Sequence, residues 1–141
     1  NSIVASKQEI PIIICAHSLG TVIAIDTLLS QNVSDRKIVL ATGGSPLQRW
    51  LYGFIPNSYD HCRRNQAILE EKSGVHWFNI YRSADPVGGA LQLKPGSDID
   101  VSGDIHSGIW KLSAHSDYWS DQKIAMELSE RVSQLQALGK L

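Results

Sequence analysis

A chain of 141 residues is long enough for one domain with its own core, and its 43% apolar and 19% charged content belongs to a globular protein, not a disordered one. A net charge of −1 supplies no general attraction for nucleic acid or an anionic membrane, so neither is expected as a partner. Cys15 and Cys62 are too few for a disulfide framework and are expected as reduced thiols; the N-terminus lacks the basic-then-apolar pattern of a secretory signal, which leaves the cytoplasm as the default compartment.

Residues 1–10 read as a helix end or loop leading into a strand. Residues 11–15 (PIIIC) form a continuous apolar run, the pattern of a strand buried on both faces of a parallel sheet. A sharp turn follows at Ala16-His17-Ser18-Leu19-Gly20, with Ser18 at its tip. Residues 21–29 are apolar nearly all round, as expected for a helix buried against that sheet. Taken together, residues 11–29 have the length of a membrane span. His17, Ser18, Gly20, Thr21, Thr27 and above all Asp26 make that costly in hydrocarbon, so no span is expected.

A second strand is expected over residues 36–42 (RKIVLAT), ending in the turn Gly43-Gly44-Ser45-Pro46-Leu47. Open α/β sheets carry their sites at that end of the strands. Residues 48–57 are loop-like yet hold Trp50, Leu51, Tyr52, Phe54 and Ile55; they form either a lid or pocket wall, or a loop folded onto the core. Residues 58–72 read as a polar helix stopped by Gly74, with His61, Arg63 and Arg64 on its solvated face. Residues 75–81 (VHWFNIY) make the third strand, and Asp85-Pro86 and Gly88-Gly89 follow directly. Residues 91–104 are a connection with one short alternating piece, 98–101. A last short strand is expected over 109–114, followed by His115. Ser120 is expected to cap the final helix, which places Ile124, Leu128, Val132, Leu135 and Leu138 on one face and ends at Gly139. The sum is an α/β fold of three to four parallel strands flanked by helices.

A serine is a poor nucleophile unless a base takes its proton. Ser18, Asp85 and His115 each fall where a strand has just ended, and together they supply nucleophile, acid and base. His106 is a rival base, and Asp104 and Asp117 are rival acids; His76 sits on a strand as a packed residue. A metal site from His106, His115 and Asp117 matches no zinc spacing, so no metal and no cofactor are expected. Ala16 and Gly20 are small, as a strained turn crossing close to its strand requires.

The run Ala16-His17-Ser18-Leu19-Gly20 resembles the nucleophile elbow G-x-S-x-G of the α/β-hydrolases, with alanine in the first position. Extended to Thr21, and taken with Gly44-Ser45-Pro46-Leu47, it resembles the lipase-like serine esterases. The resemblance implies Ser18, Asp85 and His115 as the catalytic residues, in that family's chain order. It implies the Leu19 N–H as an oxyanion donor, with Ala16, His17 and Gly20 framing the turn. The implied activity is cleavage of carboxylic esters, lipid acyl esters included, through an acyl-enzyme on Ser18. The resemblance reaches only about half of the family's fold. Strands beyond residues 11–15 and the loop with the second oxyanion donor have no counterpart here, and so apolar a strand is a poor sheet edge. Residues 1–141 are therefore expected to be a single domain, the C-terminal portion of a larger α/β-hydrolase, completed by an N-terminal region of the same protein. The alternative is a non-catalytic hydrolase-fold binding domain or an incomplete, inactive fragment.

Overall fold

The computed structural model describes residues 10–33, 35–51, 54, 56–72, 74–102 and 112–141, with residues 56–63 described by their backbone. The expectations for residues 1–9, for Tyr52 and Ile55, for the side chains of His61, Cys62 and Arg63, and for Asp104 and His106 lie outside the described residues. Four strands, β1 (Ile12–His17), β2 (Ile38–Gly43), β3 (Val75–Tyr81) and β4 (Asp98–Asp100), form one sheet in the order β1-β2-β3-β4. Every pairing is parallel, so all four C-terminal ends lie on one rim. The helices are α1 (Gly20–Ser30), α2 (Pro56–Glu71), the single turn α3 (Ser113–Ser116) and α4 (Gln122–Ala137), with one wide π-type turn at Leu47–Leu51.

Register explains which faces are covered. Ile14, Leu40 and Trp77 stand side by side across the sheet, on the face where α1 and α2 pack, and with Ile25, Leu28 and Leu69 they make the larger core. On the opposite face Phe78, Ile80 and Ile99 meet Tyr118 and Ile124, the first buried residue of α4. The Lys72 ammonium donates to the Leu28 and Gln31 carbonyls at 2.9 and 3.1 Å, placing a cation at the negative end of α1. A buried polar chain crosses the sheet: Trp77 Nε1 donates to Thr42 Oγ1, Thr42 to Asn79 Oδ1, and Asn79 Nδ2 to both Gly89 O and Asp98 Oδ1.

The structure corrects several expectations. Strand β1 is not covered on both faces: Ile12 and Ile13 are 44% and 47% exposed, and Cys15 is exposed as well. It is an edge strand, paired among the described residues with β2 alone. Ile12 N and Ser18 N donate to β2-side carbonyls, so the alternate amides of Ile13, Cys15 and His17 face the open edge. Helix α1 likewise buries one side, Thr21, Ile25 and Leu28, and leaves Ile23 at 63% exposure. The fourth strand is Asp98–Asp100, not residues 109–114; Ser113 and Ala114 are helical, and residues 109–111 lie outside the described set. The cap of α4 is Asp121, whose carboxylate accepts the Lys123 N–H at 2.9 Å, and not Ser120, whose hydroxyl instead donates to Asp117 O. At the other end of α4, the Gly139 and Lys140 amides close on the Gln136 and Leu135 carbonyls, the pairing of a Schellman cap. Leu138 lies beyond that end and is exposed. No described helix is long and apolar enough to cross a membrane.

Candidate active site

The β1–α1 reversal is tight. Ser18 takes φ +52°, the left-handed region that non-glycine residues adopt at a cost of about 1–3 kcal/mol. Its own N–H still pairs with Gly43 O at 3.0 Å, and its carbonyl accepts the Thr21 N–H, so sheet and helix both end on this residue. Strain held from both sides in this way sets the serine at the rim. Ala16, two residues before Ser18, is buried. Gly20 departs from expectation: a Cβ there would meet nothing within 4 Å. An apolar groove of about 380 Å³ runs from there between β1 and α1, lined by Ile14, Ile23 and Leu28 among others.

Asp85 follows β3 by four residues, and its side chain is fully buried. Its Oδ1 accepts the Val87 and Gly88 amides at 2.7 and 2.9 Å, a turn built by the carboxylate on its own backbone. Oδ2 accepts the Tyr118 hydroxyl at 2.9 Å. His115 Nδ1 lies 3.0 Å from Oδ2 and 3.1 Å from Oδ1. Burial by itself pushes the Asp85 carboxyl up; the Gly88 amide, His115, the Val87 amide and Tyr118 together outweigh it and hold the group below the usual carboxylate range. An ionised carboxylate only accepts, so His115 Nδ1 carries the proton and Nε2 is left as an acceptor. Nε2 lies 2.9 Å from Ser18 Oγ. A proton on Ser18 thus has a direct path to a base whose far side is fixed by a buried anion.

Two glycines make room for this line. Gly44, at φ +60°, passes directly beneath it: a Cβ there would stand 3.1 Å from both Asp85 Oδ2 and His115 Nδ1 and 2.9 Å from the Tyr118 ring. Gly88 packs its backbone on Gly44, where a Cβ would come within 2.4 Å of the Gly44 Cα. His17 lies against His115. Its Nε2 donates to the His115 carbonyl at 2.6 Å, and the two rings lie 4.8 Å apart. Leu19 opens α1, and among the described residues no backbone carbonyl takes its N–H. Trp50 donates to Pro86 O and stacks near Phe54, so the aromatic loop packs beside the Asp85 turn. Asp117 accepts from Arg82 through its backbone carbonyl, at 3.4 Å.

Sequence reasoning missed Tyr118 and Arg82. Arg82 reaches Ala114 O at 3.0 Å and Asp121 Oδ2 at 2.5 Å, joining the end of β3 to the segment that carries His115. Their only sequence signal is position: an arginine three residues before the acid, and a tyrosine three after the histidine. Among the described residues no three His, Cys, Asp or Glu side chains converge as a metal site. No family model, no curated protein and no solved structure matches this chain.

Proposed function

We propose that this chain is the catalytic part of a serine hydrolase that cleaves carboxylic esters, built as a partial α/β-hydrolase of the lipase-like serine esterase kind. The observation that carries the reading is the continuous hydrogen-bonded line Ser18 Oγ–His115 Nε2 and His115 Nδ1–Asp85, set on a strained turn at the C-terminal rim of a parallel sheet. Ser18 Oγ attacks the acyl carbon while its proton passes to His115 Nε2. Asp85 stabilises the resulting imidazolium. The tetrahedral oxyanion is held by the Leu19 N–H, here the one named donor. His115 then protonates the departing alkoxide, leaving an acyl-enzyme. Water attacks that ester with His115 again as base, and the acid leaves. The chemistry needs no cofactor.

Exposed Trp50 and Phe54 beside the Asp85 turn favour an apolar, lipid-like acyl group in the substrate. One observation favours a second reading, a non-catalytic domain or an incomplete piece on the same scaffold: among the described residues the strand that leads to Ser18 is an edge with one neighbour. Fluorophosphonate labelling separates the two, because only an activated serine reacts. The expected result is an adduct on the Ser18 peptide that Ser18→Ala abolishes, together with hydrolysis of p-nitrophenyl butyrate. A folded protein with no adduct at Ser18 refutes the esterase reading.

A further inference from the structure

Tyr118 takes no part in the proton transfers just described, yet it is fully buried and bonded to the carboxylate of Asp85. Its hydroxyl oxygen accepts the Arg82 amide at 3.1 Å, so its single proton is free for one acceptor, and that acceptor is Asp85 Oδ2 at 2.9 Å. The ring cannot drift. A Cβ on Gly43 or on Gly44 would stand 2.9 Å from it, the Arg82 guanidinium lies 4.8 Å above its centroid, and the His17 ring is 5.7 Å away. Oδ1 of Asp85 is already tied to two amides of its own turn. Oδ2 has no backbone partner among the described residues, and Tyr118 and His115 are its two donors.

We propose that Tyr118 is a positioning residue of this site: its hydroxyl pins Oδ2 and fixes the rotation of the Asp85 carboxylate, so that the carboxylate's open edge faces His115 Nδ1 and holds the imidazole in line with Ser18. Two amides on one oxygen leave the plane of a carboxylate free to rock about that oxygen; a third donor on the other oxygen removes the freedom. Burial, the Asp85 charge and the bond to it push the Tyr118 hydroxyl far above its usual range, so near neutral pH it keeps its proton and stays a donor. The inference rests, for its kinetic consequence, on the esterase reading above.

The test is Tyr118→Phe, which keeps the ring and removes the hydroxyl, made alone and in an Asp85→Asn background. Losing one charge-assisted hydrogen bond is expected to lower kcat on p-nitrophenyl butyrate about tenfold with KM unchanged. In the Asp85→Asn background the same substitution is expected to change kcat by less than about twofold, because the group it acts through is gone. Equal losses in both backgrounds, or none in either, overturn the inference.

A second readout is independent of activity: the NMR resonance of the His115 Nδ1 proton and its shift with pH. The groups facing Asp85 are His115 from α3, Tyr118, the amides of Val87 and Gly88, and Arg49 on its backbone carbonyl; Arg82 and His17 stand one layer out. Tyr118→Phe removes a donor to the charged form of Asp85, so protonation of the acid, and the change it causes at Nδ1, moves to higher pH. A Nδ1 proton with unchanged position and titration overturns the inference. If the wild-type protein neither labels nor hydrolyses, the esterase reading fails and this spectrum alone judges Tyr118. If the phenylalanine variant does not fold, 3-fluorotyrosine at position 118 keeps the packing and changes the acidity of the hydroxyl; an unmoved Nδ1 proton then counts against the proposal.

Discussion

Gly88→Ala is expected to misalign Asp85 while leaving the turn that carries Ser18 intact. Gly88 is absent from the positive-φ residues, so alanine brings no backbone strain and the cost is steric. The new Cβ would stand 2.4 Å from the Gly44 Cα, 2.7 Å from the Gly44 carbonyl carbon and 2.6 Å from Asp85 Oδ2. Carbon atoms in contact rest about 3.5–4.0 Å apart, so the Asp85 turn and the Gly44 backbone must separate by roughly 1 Å. The Gly44 atoms are backbone, and the Asp85 carboxylate is held in place by the Val87 and Gly88 amides, His115 and Tyr118. Forced repacking of this kind costs about 1–3 kcal/mol, or roughly 3–10 °C in Tm for a chain of this size. The effect on chemistry is larger, since a displacement of about 1 Å at a reacting group costs on the order of 10²-fold in rate.

Gly96→Ala is the control. That residue has φ +82° with nothing within 4 Å of a Cβ, so alanine there costs about 1–2 kcal/mol of backbone strain and touches no group of the site. Thermal unfolding and the fluorophosphonate rate are measured on both variants at equal folded fraction. Similar losses of stability with a rate drop confined to Gly88→Ala are expected. Equal labelling rates in the two variants would refute the argument that this backbone contact sets the position of the acid.

Two further predictions concern the groups around that contact. Asp85 has its folded pKa below the unfolded value of about 3.9, so its stabilising contribution is complete above that pH and is lost as pH falls through it towards the lower folded value. Urea midpoints of wild type and Asp85→Asn therefore differ most near pH 7 and converge below about pH 4; a gap that persists unchanged to about pH 3 contradicts the assignment. Arg82→Ala removes the bonds to Ala114 O and Asp121 and is expected to cost about 1–3 kcal/mol in thermal unfolding and to slow Ser18 labelling. Arg82→Lys recovers only part, because an ammonium cannot reach both acceptors as the guanidinium fork does; full recovery would show that charge alone matters.

Much of the sheet was legible because its signals are local. Residues 12–15, 38–42 and 75–81 are apolar or β-branched runs bounded by turn residues, and a strand needs little more to be recognised. Strand β4 was not legible as the fourth strand, since two of its three residues are aspartates. It exists because Asp98 accepts the Leu91 and Leu93 amides and the Asn79 side chain, partners supplied by the fold and not by the run itself. The exposure of β1 was hidden for a similar reason: Ile12 and Ile13 announce a buried strand, and only the topology shows that one neighbour is present. Within the site, Ser18 and Asp85 were found from their places after strands, and His115 from an expected strand whose last two residues, Ser113 and Ala114, are helical instead; the structure brings the three within hydrogen-bond distance. Tyr118 and Arg82 escaped because each is defined by partners more than thirty positions away, at Asp85 and at Ala114 and Asp121.

His115 lies 97 positions from Ser18 and 30 from Asp85. Parallel strands pair only after each intervening crossover has closed, and such long-range closures come late in folding. A nascent chain that has emerged only as far as β3 carries Ser18 without His115. On the proposed esterase reading, the nucleophilicity of Ser18 is therefore a property of the finished fold. In a refolding time course, labelling of Ser18 will lag the return of secondary structure and mark the docking of the α3–α4 segment, which makes the probe a clock for the last step of assembly.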